Sequence, residues 1–312
     1  MAHRPKNPLV PARDGVSPSC VAVPHDKPCP WPTVLDFLAD RLCAVDREGW
    51  ANRLRQGEVL DDTARPRSAD SPCIPGERLY YYRRLDHEQP IPFEASVLFQ
   101  DAHLLVMDKP HFLPVVPTGR YVQQSLLVRA KRQTGIDTLS PLHRIDRETA
   151  GIVVFSIRPQ DRDAYQALFR DREVDKQYQA IAPCPDGLPL LQGHVRRSRI
   201  EEDPGGFFRM HEVPGEPNSE TRITEQERQG RWARYALEPV TGKRHQLRVH
   251  MAALGRPLAG DQFYPVVRRG PNEVEDFSEP LRLLAQAIAF TDPVTGQARR
   301  FESRQALDWP AD

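Results

Sequence analysis

The sequence predicts an α+β protein in two parts, a small N-terminal module followed by a larger domain. Three observations carry this. Strand-like and helix-like hydrophobic patterns alternate through residues 91–312. The prolines of Pro90-Ile-Pro92 punctuate the chain just before that stretch. A charged turn then runs directly into the apolar run Ile152-Val-Val-Phe155, and a core strand behind such a turn holds polar groups still while leaving them open to a ligand.

Residues 1–25 are Pro-rich and lack hydrophobic periodicity, which predicts a disordered or loosely held arm. Residues 26–90 form the small module. Val34, Phe37, Leu38 and Leu42 recur at helical spacing, Trp50 and Leu54 follow before the turn Gly57-Glu-Val-Leu60, and Leu79-Tyr-Tyr-Tyr82 reads as a short strand. In the larger domain, Val97-Leu-Phe99 and Leu104-Leu-Val-Met107 predict a hairpin around a polar turn. Residues 125–134 and 161–171 carry helical patterns, the second with Tyr165, Leu168 and Phe169 on one face. Thr221-Arg-Ile-Thr224 and Trp232-Ala-Arg-Tyr-Ala-Leu237 alternate as strands.

The charged turn is Pro141-Leu-His-Arg-Ile-Asp-Arg-Glu-Thr-Ala-Gly151, with Asp146 between Arg144 and Arg147. Adjacent positive charge favours an ionised carboxylate. Asp146 is therefore a candidate nucleophile or anion anchor, weighed against a plain surface ion-pair loop. Further on, Leu247, Met251 and Leu254 fall at i, i+4 and i+7, and Gly255 supplies a left-handed stop, so residues 245–254 predict a short helix. Arg248 adjoins its apolar face, so its head group is expected to be partly buried. A buried guanidinium without an anion costs on the order of several kcal/mol. Asp146 is its expected partner, the alternative being an exposed Arg on the helix flank. Tyr178, in Asp175-Lys-Gln-Tyr-Gln-Ala180, sits in a strand-like alternation where most tyrosines simply pack their rings.

The five cysteines, Cys20, Cys29, Cys43, Cys73 and Cys184, lie far apart and suit reduced thiols better than a disulfide framework or a metal site. No apolar run approaches the roughly 18 residues that span a bilayer, and the N-terminus has no signal-peptide core. A soluble, cytoplasmic protein is expected. The formal net charge of zero does not by itself suggest nucleic acid, whose partners usually carry a basic excess. Locally the balance differs: Arg228, Arg231, Arg234, Lys243, Arg244 and Arg248 face a single acid, Glu238, between Arg228 and His250. A second cluster is His194-Val-Arg-Arg-Ser-Arg199.

Three words occur in order: His143-Arg-Ile-Asp-Arg-Glu-Thr-Ala-Gly151, Lys176-Gln-Tyr-Gln-Ala180 and Thr241-Gly-Lys-Arg-His-Gln-Leu-Arg-Val-His250. Together they resemble the signature motifs of the RluA family of RNA pseudouridine synthases. The flanking segments Leu105-Val-Met-Asp-Lys-Pro110 and Gly260-Asp-Gln-Phe-Tyr264 agree, and the resemblance covers roughly residues 91–303. It implies the pseudouridine-synthase fold, a large mixed, mostly antiparallel sheet flanked by helices and loops. For residues 26–90 it implies a small αL-type RNA-binding-like module, with Arg53 and Arg55 as the basic residues of its second helix.

The reaction this resemblance implies is isomerisation of uridine to pseudouridine in RNA. Large-subunit ribosomal RNA is the first expectation, because an N-terminal αL-type module is typical of members acting there; transfer RNA is the alternative. The target base must leave its stack to be reached. By motif position Arg144 would fill the gap, with His143 and Arg147 beside it. Asp146 would attack the ribose or abstract a sugar proton, Arg248 would hold Asp146 ionised and aimed, and Tyr178 would pack against the base and help remove the carbon-5 proton. Arg196, Arg197, Lys243 and Arg244 would form an RNA-binding basic patch. His143, His245 and His250 lack the spacing of a metal site and read as structural or RNA-contacting. No cofactor and no metal are implied, RNA is the expected partner, and a monomer is the default.

The family pattern is not matched throughout. Ile145 stands for the commoner Leu, Ala150 for Ser, and Leu283-Leu-Ala-Gln286 lacks a common His-Ala pair. A kinase-like loop is excluded, since the Asp after His143-Arg144 comes one position late and no D-F-G or Gly-rich loop is present. A non-catalytic RNA-binding or ribosome-assembly factor on the same fold is the remaining alternative. The joint retention of Asp146, Tyr178 and Arg248 argues against it.

Overall fold

The structure, a computed structural model, describes residues 7–25, 28–85, 87–184, 189–205, 209–270, 273 and 275–311. The chain divides into two compact units, Met1–Glu88 with Lys131–Asp137, and Gln89–Ala130 with Thr138–Asp312.

The first unit contains β1 (Ser19–Ala22), α1 (Val34–Arg41), α2 (Arg47–Arg55), β2 (Val59–Leu60) and β3 (Arg78–Tyr81), with the strands in the order β1-β3-β2. Thr33 starts α1 through a capping box. Its hydroxyl accepts the Asp36 N–H, and the Asp36 carboxylate accepts the Thr33 N–H. Both helices bury their apolar stripe, with Phe37, Leu38, Trp50 and Leu54 packing against Val59 and Leu79. The expected loose arm is corrected over residues 7–25. Strand β1 pairs with β3 in antiparallel register from Ser19↔Tyr81 to Ala22↔Arg78, Val10, Val16 and Val23 are buried, and the Tyr82 hydroxyl donates to the Pro11 carbonyl at 2.6 Å. Valines spaced between the prolines give the segment something to bury, and proline tolerates a sheet edge. Residues 1–6 lie outside the described residues.

Next come β4 (Ser96–Gln100), β5 (Leu104–Lys109), α3 (Leu126–Thr134), β6 (Ser140–Pro141), β7 (Ala150–Ser156), α4 (Arg162–Arg170), β8 (Asp175–Pro183) and β9 (His194–Glu202). The chain continues through β10 (Met210–Val213), β11 (Ser219–Gln229), β12 (Trp232–Pro239), α5 (Gln246–Ala253), β13 (Leu283–Thr291) and β14 (Ala298–Glu302). The strands form one 11-stranded sheet, ordered β10-β9-β11-β12-β8-β13-β7-β5-β4, with β14 on β13 and β6 on β7. Every pairing is antiparallel among the described residues except β7 with β13. This is the mixed, mostly antiparallel sheet expected from the sequence.

The β7–β13 contact brings distant parts of the sequence together. Gly151 pairs with Ala285, and Ala285 pairs on its other side with Tyr178 of β8. The strand that follows the charged turn thus lies one strand from Tyr178. Gly151 has φ of 111°, and a Cβ there would lie 2.2 Å from the Ala285 carbonyl oxygen. Only glycine fits this approach without displacing backbone. From the opposite side, α5 packs Leu247 and Met251 into a core shared with Ala180, Tyr235, Leu237 and Leu283.

Gly151→Ala combines a backbone clash with a left-handed φ and is expected to destabilise the protein by roughly 3 kcal/mol or more. Urea unfolding monitored by circular dichroism checks it; an unchanged midpoint would mean that β13 can move away from β7.

Candidate active site

A cleft of about 650 Å³ opens over the sheet, lined by the charged turn, the end of α4, the start of β8 and the segment leading into α5. Asp146 faces it with a side chain 20% exposed. The turn carrying Asp146 is latched from below. Lys109, fully buried at the end of β5, donates from Nζ to the carbonyl oxygens of Pro110 and Arg147 at 2.9 and 3.0 Å. Burial pulls its pKa down to about 7, against the fields of Glu148 and Asp146.

Arg248 is the centre of the site. Its side chain is fully buried, more completely than the sequence pattern suggested. Its principal partner is Asp261: Nε and Nη2 donate to the two carboxylate oxygens at 2.8 and 2.7 Å. Asp146 is a second partner, with Nη1 at 3.4 Å from Oδ2, and Glu148 a third at 3.6 Å. The expected Arg248–Asp146 pair exists, but the bidentate fork belongs to Asp261. The rings of Phe263 and Tyr264 lie 5.2 and 5.4 Å from the guanidinium carbon. Burial opposes the charge, but the bonds to Asp261 and the fields of Glu148 and Asp146 outweigh it and raise the Arg248 pKa.

Asp261 is held in turn. Its Oδ1 accepts the N–H groups of Phe263 and Tyr264 at 2.8 and 3.1 Å. Glu148 is buried, and although burial pushes its pKa up, Arg147 and Arg248 hold it at about 2.

The remaining predicted residues divide into those the cleft gathers and those it does not. Tyr178 lines it, its phenol pKa raised by burial and by Asp146, so the ring presents a protonated hydroxyl. Arg144 lines it with an exposed side chain. His143 borders it, but the ring is committed: it stacks on Phe169 at 4.9 Å and its Nε2 accepts the Val154 N–H at 3.1 Å. Burial lowers its pKa to about 3. His245, at φ 55° before α5, stands with Nε2 3.9 Å from Asp146 and Nδ1 3.0 Å from the Tyr264 hydroxyl. His250 is wholly buried against Ser198, Ser219 and Thr221.

Arg147 is a correction. It does not line this cleft but pairs with Glu148 at 2.9 Å and Glu275 at 2.7 Å, lining a separate depression. Successive residues of a tight turn point apart, so adjacency to Asp146 in sequence did not mean adjacency in space.

Three of the four residues expected to form the basic patch are engaged in ion pairs. Arg196 pairs with Glu212 at 3.1 Å, Arg197 with Glu220 at 2.8 Å, and Arg244 with Glu202 at 3.3 Å. Of the four, Lys243 alone borders the cleft. Arg228 and Arg234 are likewise paired, with Glu225 and Glu227. The cations that do line the cleft include Arg170, Arg172 and Lys176, which charge counting passed over. Asp261 and Glu148 were also missed as site residues. A signal existed for each: Asp261 follows a glycine in a matched segment, and Glu148 lies in the charged turn itself.

A sequence profile for RNA pseudouridylate synthase matches residues 103–253. An uncharacterised RNA pseudouridine synthase of Synechocystis is 32% identical over 233 residues, which is 74% of this chain and 79% of that protein. The dual-specificity RNA pseudouridine synthase RluA of Haemophilus influenzae is 30% identical over 232 residues, covering 70% of this chain and 97% of its own. Among solved structures, human RNA pseudouridylate synthase domain containing 4 superposes with a TM-score of 0.52 at 26% identity, over 67% of this chain and 88% of its own. Sheet, cleft and relatives together define an RNA pseudouridine synthase, an isomerase. The chain belongs to the RluA family of these enzymes.

The buried charges set two expectations. Asp261→Asn leaves a buried guanidinium without its fork and is expected to cost ~3–5 kcal/mol, whereas Asp146→Asn, at a partly exposed 3.4 Å contact, costs at most about 1 kcal/mol. Equal losses in chemical denaturation would make Asp146 the anchor instead. The second concerns acid. His111, His143 and His250 are held neutral by burial, at about 4, 3 and 4 against an ordinary 6.5, so protonation favours the unfolded chain and stability falls as pH drops below about 6.5. Glu148 and Glu275, held at about 2 against 4.5, add a further loss as pH falls from about 4.5 toward 2. The melting temperature should therefore decline below pH 6.5 and more steeply below 4.5; a constant value from pH 7 to 4 would contradict it.

Proposed function

We propose that this enzyme converts uridine to pseudouridine in large-subunit ribosomal RNA, with Asp146 as the attacking carboxylate. The observation that carries the reading is a cleft-facing carboxylate held from behind by a buried guanidinium whose own charge is balanced by a second acid, Asp261. In this scheme Arg144 occupies the place vacated when the target base leaves the RNA stack. Asp146 attacks the ribose anomeric carbon and the N1 glycosidic bond breaks; in the rival glycal scheme it takes a neighbouring sugar proton. The freed uracil turns within the cleft and rejoins the anomeric carbon through carbon-5, displacing the Asp146 oxygen in the first scheme and followed by return of the sugar proton in the second. The carbon-5 proton is lost, and N1 gains one. Arg248, buried and fixed before the substrate arrives, supplies the preorganised positive charge beside the attacking oxygen. Tyr178 packs against the base; its raised pKa suits a hydroxyl that donates rather than one that abstracts.

The ribosomal target rests on the first unit, whose helix-helix-strand order fits an αL-type module. Arg53 and Arg55 on α2 are its proposed RNA contacts, although Arg53 also lies over the Trp50 ring and Arg55 donates to Asn52. The dual-specificity name of the Haemophilus relative is the reason to test transfer RNA beside it. The enzyme is proposed to act as a cytoplasmic monomer.

Tritium release from RNA labelled at carbon-5 of uridine tests both points. Release is expected from large-subunit ribosomal RNA, and Asp146→Asn should lower it by roughly three orders of magnitude or more while RNA binding persists. Release from transfer RNA alone would reassign the target, and turnover by Asp146→Asn would sink the mechanism.

A further inference from the structure

Of the Lys and Arg side chains that line the cleft, Arg170 and Arg248 pair with acids; Arg144, already given a role above, pairs with none among the described residues, and three more are left. Lys176, Arg172 and Lys243 all line the cleft, and among the described residues none of them forms an ion pair. Lys176 is the most telling. It is half-buried, and its ammonium reaches a single neutral acceptor, the Thr241 carbonyl oxygen at 3.4 Å. Burial lowers its pKa and the charge of Arg172 lowers it further, so two cations press on one another. Glu220, an acid within the field of Arg172, is already held by Arg197 at 2.8 Å. A half-buried ammonium beside a second cation is unfavourable unless an anion completes the group.

The backbone points the same way. Arg172 has φ of 64°, a left-handed conformation that non-glycine residues seldom adopt. It occupies the turn between α4 and β8, where a glycine would be the unstrained choice. Lys176 and Tyr178 are two apart on β8 and so share a face of the strand, about 7 Å from one another along it. A base resting on Tyr178 therefore places its own sugar-phosphate within reach of Lys176.

We propose that Arg172, Lys176 and Lys243 form an anion subsite that grips a backbone phosphate of the RNA strand next to the target uridine. The subsite deepens the reading given under Proposed function, which supplies the RNA strand and places its base at Tyr178. It would anchor the extruded nucleotide by its phosphate while Asp146 acts on its sugar. Lys176 is then a binding residue whose charge is completed by substrate.

Binding of the trinucleotide pUpUpU, measured by calorimetry across a salt series, tests the subsite without turnover. In wild type the logarithm of affinity should fall with the logarithm of salt, and Lys176→Gln should flatten that slope by about 0.7, the value for one fewer phosphate neutralised on a single strand. Affinity should drop roughly tenfold or more, with Lys176→Arg restoring most of it. A methylphosphonate version, with one internal phosphate neutralised in turn, should weaken binding to the wild-type protein at one position, and at that position have no further effect on Lys176→Gln. The wild-type half of this arm uses unaltered protein and is independent of any folding defect in a variant. Equal slopes for wild type and Lys176→Gln, or strictly additive effects of variant and methylphosphonate, would overturn the proposal. If the proposed activity itself fails, tritium release is absent while the trinucleotide results still report on the subsite. On a transcript that turns over, Lys176→Gln should raise KM more than it lowers kcat.

Discussion

The site depends above all on the burial of one guanidinium, that of Arg248. Arg248 lies in the interior, where a guanidinium survives only if its five donors and its charge are answered. Asp261 balances the charge and takes two of the donors in short bonds, and its Oδ1 also accepts the amides of Phe263 and Tyr264. Asp146 is consequently not needed to hold Arg248 in place. It touches the guanidinium at 3.4 Å and keeps a face toward the cleft. Had Asp146 been the only acid available, the tight pairing required to bury Arg248 would have occupied the carboxylate that must meet the substrate. Separating the two acids lets one fix the cation and leaves the other free to react.

Much of this was legible from local patterns, because local patterns record burial. Leu247, Met251 and Leu254 at helical spacing placed α5, and Arg248 beside them was expected to be partly buried. The choice among possible anions was not local. Asp146 lies 102 residues from Arg248 and Asp261 only 13, yet the sequence does not show which oxygen meets which nitrogen. Arg147 failed for a related reason. It adjoins Asp146 along the chain but turns to Glu148 and Glu275, and a turn's directions are not written in its composition. The Pro-rich start was misread because its valines are too widely spaced to show a period, although they still find a surface to cover.

Counting charge along the sequence misled in the same manner. Arg197 and Glu220 are partners across the β9–β11 ladder, and Arg196 meets an acid of β10. Cross-strand pairs of opposite sign stabilise a sheet only modestly, but they remove such cations from the pool available to a polyanion. A window of sequence sees one strand and misses the acids on the next. The same pairing reconciles a formal net charge of zero with an RNA substrate: what matters for phosphate is where unpaired cations stand, and Arg144, Arg172, Lys176 and Lys243 are among those that line the cleft.

The sheet explains why three separated sequence words act at one place. The charged turn ends in β7, Tyr178 stands on β8, and β13 runs between them, pairing Ala285 with Gly151 on one side and with Tyr178 on the other. That β7–β13 contact is parallel, the exception among the described pairings, and parallel neighbours require a long crossover. The crossover here is long enough to contain β8 to β12 and α5, and so the segment that closes the sheet also delivers Arg248 and Asp261. At its narrowest point the crossover's return strand approaches so closely that residue 151 cannot carry a Cβ. The final Gly of the first word therefore has a mechanical cause: it sets the distance between the turn that holds Asp146 and the strand that holds Tyr178.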